Sequence, residues 1–118
     1  MAGSMTRNVL VAACGVVLSA AAVAHHGWSG YESDLRKVDG VIEEASYANP
    51  HGSIRVKSAD KTWVVVLAPP SRMTTRGLTA DMLKVGTNVS VEGYQSTSDD
   101  EEMRAERIKV DSKTVELR

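Results

Sequence analysis

Three histidines, His25, His26 and His51, carry most of the coordination chemistry this chain offers. Imidazole suits copper, zinc and nickel, and Cu(II) heads the affinity order for such nitrogen donors. Cleavage of the chain after Ala24 would make His25 the first residue of the mature protein. A terminal histidine presents its α-amine beside two ring nitrogens, so one residue can chelate one ion. The amine has an ordinary pKa of ~7.7–8.0, and a metal displaces its proton at neutral pH without great cost. An imidazole from His51 would then complete a T-shaped nitrogen set. His26 is the alternative ligand, although neighbours in an extended chain point to opposite sides. The competing view is a polar chain end and an ordinary turn residue.

Other side chains are weaker candidates. Met73, Met82 and Met103 offer thioethers to Cu(I), yet methionine in a small β-domain more often fills core gaps. Trp28 and Tyr31 follow the histidine pair and either shield a metal or latch the arm to the domain. The latch is the better reading, because buried aromatics contribute large packing energies. Asp99-Asp100-Glu101-Glu102 reads as a solvated loop that discourages edge pairing. Glu43-Glu44 would fall on opposite faces of a strand and so would not act as a catalytic pair. No nucleophile triad in a motif context and no phosphate-binding glycine loop is present.

The elements that must position these groups begin with a leader. Arg7 is the single charged side chain in residues 1–24, and residues 9–24 are small and apolar, ending Ala22-Val23-Ala24. A basic start, an apolar middle and a small-x-small end are the pattern of a secretory signal peptide. The run is short for a bilayer span, which needs about 20 apolar residues. Val11-Ala12-Ala13-Cys14 loosely matches a lipoprotein box, but too little apolar chain precedes it. The expected organisation is a signal peptide at 1–24, an arm at 25–37 and a domain at 38–118.

Removing 24 of 118 residues leaves 94, enough for one small domain and too few for two. One of the 14 basic residues leaves with the leader, so 13 face 15 acidic ones, a net −2. That balance argues against nucleic acid and against an anionic membrane surface as partners. The single cysteine, Cys14, also leaves, so the domain is expected to fold in an oxidising compartment without disulfides. With no Phe, and with Val, Ile and Leu dominant, the core suits pleated strands.

Hydrophobic alternation and turn residues predict strands at 38–47, 53–57, 62–67, 86–94 and 103–111, with 114–117 as an extension. Gly40 allows a bend or bulge in the first strand. Pro69-Pro70 stops the third, and helical turns follow at 71–76, capped by Ser71, and at 79–83. Three strands, a short helical link and two more strands make an all-β, OB-like, five-stranded Greek-key barrel. The core is expected to contain Ile42, Ile54, Val56, Val65, Leu67, Val89, Val91 and Ile108. The turn Asn49-Pro50-His51-Gly52 is sharply shaped, since Pro fixes φ and Gly admits positive φ.

Ala24-His25-His26, Gly40-Val41-Ile42, Asn49-Pro50-His51, Trp63, Pro69-Pro70 and the run from Gly86 to Gly93 together resemble a family of small exported bacterial proteins of unknown function. The resemblance covers essentially all of the chain after the leader. The family typically reads His-His-Ser-Phe where this chain reads His25-His26-Gly27-Trp28. It implies an exported compact β-domain in which His25, His26 and His51 recur together.

The expected function is that of a periplasmic or secreted copper-binding carrier or buffer, with metal ligands His25, His26 and His51. Its partners would be a metal ion and a periplasmic protein, with no membrane contact after cleavage. The first alternative is an OB-type binding module for a saccharide, peptide or partner protein. The second is a copper-dependent oxidative enzyme, which the scarcity of aromatics for a flat substrate face disfavours.

Overall fold

The structure, a computed structural model, describes residues 28–118. His25, His26 and the leader 1–24 lie outside the described residues. A short 3-10 turn, Trp28–Gly30, belongs to a different unit from Tyr31–Arg118.

Tyr31–Arg118 is mostly strand. β1 (Arg36–Ser46), β2 (Ser53–Lys57) and β3 (Thr62–Val66) form an antiparallel meander. A helix, α1 (Pro70–Thr75), and a 3-10 turn, Ala80–Leu83, link β3 to β4 (Asn88–Gln95). β5 (Glu102–Val110) and β6 (Lys113–Glu116) complete the chain. The order is β3-β2-β1-β4-β5-β6, and a parallel pairing of β3 with β5 closes the first five strands into a barrel. This is the Greek-key barrel expected, with β6 added outside the closed ring on β5.

The pleat explains the core. Ile42, Ile54, Val56, Val65, Leu67, Val89, Val91 and Ile108 are all buried, and Trp63, Met103, Ala105 and Val110 join them. Each buried aliphatic side chain contributes about 1.5–3 kcal/mol relative to exposure. The link between β3 and β4 adds Met73, Leu78 and Leu83 to the same cluster. Gly40 is required by close approach: a Cβ there would overlap the Lys57 carbonyl on β2.

Three local expectations need correction. The bulge in β1 falls between Ile42 and Glu44, not at Gly40. It breaks the alternation, so Glu43 and Glu44 are both exposed instead of facing opposite ways. The helix starts at Pro70, with no side-chain cap from Ser71. Proline at the first helical position lacks the N–H that a cap would satisfy, and its φ already suits the helix.

Candidate functional site

His51 lies on the loop between β1 and β2, at the rim of the barrel, and is exposed. The residues on either side of that loop are not free. Tyr47, directly after β1, donates its phenol to the Leu78 carbonyl at 2.6 Å. Its oxygen is also 2.8 Å from the Thr74 hydroxyl, which can donate to it. Gly52, directly before β2, donates its N–H to the Ala68 carbonyl at 2.9 Å and accepts from the Leu67 N–H at 2.9 Å. Gly52 is buried, and a Cβ there would meet Met73 Cε at 2.7 Å and the Ser46 carbonyl at 3.1 Å. The Asn49–Pro50 peptide is cis. Four exposed residues, Ala48 to His51, therefore bridge two fixed points.

A shallow groove of about 210 Å³ opens beside this loop. Ser46 and Ser53, the strand residues nearest the loop, form part of its lining with Glu44, Arg55 and Val64. Arg55 Nε and Glu44 Oε2 are 3.6 Å apart and largely exposed, so that pair adds little stability.

Tyr31 is fixed within the barrel unit, but by polar contacts and not by the buried aromatic packing expected of a latch. Its hydroxyl donates to Glu102 Oε2 at 2.7 Å, and the residue bridges Ser96. The next residue, Glu32, donates its N–H to the Gln95 carbonyl at 2.8 Å. Burial, then the hydrogen bond to Glu102, pushes the Tyr31 phenol up to about 12. The acidic run folds as its own turn. Ser96 Oγ accepts the N–H groups of Ser98 and Asp99, and Asp99 Oδ1 accepts that of Glu101. Asp99, Asp100 and Glu101 are exposed, as a solvated loop requires, whereas Glu102, expected in the same loop, opens β5 half-buried and accepts the Tyr31 phenol.

The thioethers divide as packing predicts: Met73 and Met103 are fully buried and Met82 packs partly against the core. Among the described residues, no three His, Cys, Asp or Glu side chains converge as a metal site. His51 is the one predicted ligand within them. No helix of the described residues is long and apolar enough to cross a membrane. Sequence reasoning missed Tyr47, whose place two residues before Asn49 of the Asn-Pro-His turn was its only signal.

The chain belongs to a family of unknown function (DUF6152), whose pattern matches residues 13–104. No curated protein sequence matches it. The solved structures that share its fold include two of TiaS. One is TiaS in complex with an isoleucine tRNA and ATP, at 16% identity and TM-score 0.51, over 71% of this chain and 18% of that one. The other is a ZRD-deleted TiaS mutant in complex with agmatine, at 16% identity and TM-score 0.50, over 71% and 24%. The chain thus spans less than a quarter of either protein, and at this identity the likeness is one of fold.

Proposed function

We propose that this member of the family is an exported copper-binding carrier or buffer, in which His51 joins the terminal histidine left by cleavage after Ala24. The observation that carries the reading is the presentation of His51. It is an exposed imidazole on a four-residue span between fixed ends, with no hydrogen bond or ion pair to another described residue. A ligand held in place before binding loses less freedom when the ion arrives. His26 stands as the alternative donor from the same segment as His25.

The test is Cu(II) binding by the exported protein, read by competition titration and by electron paramagnetic resonance. One equivalent should bind with three nitrogen donors and with an affinity far above that of a free His-His peptide. His51→Ala, and one residue inserted before His25, should each weaken it. If both bind as tightly as the native protein, the shared site does not exist. Copper competes with protons for imidazole, so the affinity should fall on acidification.

The groove beside the loop favours a second reading, a binding module. OB barrels take ligands on the face of strands 2 and 3 and on the loop between strands 1 and 2. Ser46, Ser53 and Arg55 would supply the polar contacts to a saccharide or peptide. Ligand-induced shifts confined to these residues, in a protein without copper affinity, would select it.

A further inference from the structure

We infer that Tyr47 is the positioning residue for His51, fixing the β1 end of the loop through its phenol; the inference rests on the reading of His51 as a ligand. The β2 end is held by backbone bonds, from Gly52 N–H to the Ala68 carbonyl and from Leu67 N–H to the Gly52 carbonyl. Side-chain substitution leaves those in place. The β1 end is different. β1 finishes at Ser46, and its free chain then passes Tyr47. What ties Tyr47 to the body is an oxygen, 2.6 Å from the Leu78 carbonyl and 2.8 Å from the Thr74 hydroxyl, with the Pro70 carbonyl at 3.4 Å. A phenol has one proton, and the shortest contact assigns it to Leu78; the Thr74 hydroxyl donates in return. The ring itself packs partly against the core. Packing and tethering are thus divided within one side chain, and Tyr47→Phe removes only the tether. Leu78 belongs to the buried cluster and α1 contributes Met73 to it, so the anchor is part of the core.

The experiment compares the native protein with Tyr47→Phe and Thr74→Ala. Thr74→Ala keeps the short bond to Leu78 and serves as the control. In the metal-free protein, backbone nitrogen-15 relaxation at Ala48, Asn49 and His51 should show added motion in Tyr47→Phe, while amide hydrogen exchange in the barrel strands stays as before. Ring-proton relaxation of His51 should show added motion in the same variant. Cu(II) affinity should fall about tenfold, which is ~1.4 kcal/mol of lost organisation, with the same nitrogen ligation in the resonance spectrum. Thr74→Ala should change none of these by more than about twofold. Unchanged relaxation at Ala48, Asn49 and His51 in Tyr47→Phe overturns the inference, as does added motion there with unchanged copper affinity. Faster exchange spread through every strand overturns it too, since that is the mark of general destabilisation. If the native protein binds no copper at His51, the proposed function fails, and the relaxation data still decide whether Tyr47 fixes the loop.

Discussion

Arg107, on β5, is met by carboxylates from neighbouring strands: Glu116 at 2.8 Å, Glu92 at 3.0 Å and, on its own strand, Glu106 at 3.4 Å. His51, on the β1–β2 loop, is met by no hydrogen-bonding or charged side chain among the described residues. The register shows why the first arrangement arises. Lys37, Glu92, Arg107 and Glu116 stand directly opposite one another across β1, β4, β5 and β6, alternating in sign. Opposite charges at paired positions stabilise a sheet, and like charges there destabilise it. The hydrogen bonds to Glu116 and Glu92 push the Arg107 guanidinium still further toward its charged form. The charges on that face of the barrel satisfy one another. At the rim the fold fixes the backbone instead, through Tyr47 and Gly52, and leaves the imidazole unused. The difference separates side chains that complete the structure from one that is held ready by it.

The largest effect expected concerns the core beneath both regions. Leu67 is buried where β3 gives way to the rim, and its N–H holds Gly52. Leu67→Ala should cost about 2–5 kcal/mol in chemical denaturation. His51→Ala should stay within about 0.5 kcal/mol of native, as an exposed substitution does. A His51→Ala loss as large as that of Leu67→Ala would erase the comparison, making the histidine a structural residue.

A smaller effect sharpens the contrast between the two charged faces. Arg107→Ala leaves three carboxylates without their shared cation, and should lower the melting temperature at low salt. Salt screens the exposed charges that remain, so the deficit should narrow at high ionic strength. Arg55→Ala, which removes a loose and exposed pair beside the groove, should leave the melting temperature unchanged in both conditions. Equal losses for the two variants would show that the ladder is no more a structural device than the groove pair.

Much of this was readable from the chain, because alternation is a local signal. Val89-Ser90-Val91 and Ile54-Arg55-Val56 each declare a face, and the Pro pair and the helical turns after Thr62–Leu67 separate the two halves of a Greek key. The bulge between Ile42 and Glu44 was not readable, since it depends on how β1 bends around the barrel between two partners. Nor was the role of Tyr47. Its acceptor is a backbone carbonyl 31 residues away, and no residue type at position 78 announces that contact. Of the candidate site, the turn around His51 was legible from Pro50; Gly52 serves it by close approach to Met73 and the Ser46 carbonyl and not by the positive φ expected of it, and the anchors that hold the turn are tertiary and were not legible.

The smallest effect expected is a titration, and it asks whether the point where the arm meets the barrel belongs with the self-satisfied face or with the open rim. Tyr31 donates to Glu102 at 2.7 Å and is half-buried. Burial opposes the phenolate first, and the bond to the Glu102 carboxylate opposes it again, so the phenol is held up to about 12 against an ordinary 10.0. A raised value means that the fold favours the neutral phenol. The stabilisation from this contact is complete below about pH 10 and is lost as the pH climbs through about 12. Ultraviolet titration of the folded protein should therefore show one tyrosine ionising near 12, and Tyr31→Phe should remove that step. Glu102→Gln takes away the charge but keeps an acceptor, so the step should move down toward the ordinary value without reaching it, since burial remains. If Tyr31 ionises near 10.0 in the native protein, the phenol is not latched to Glu102, and this end of the barrel belongs with the open rim.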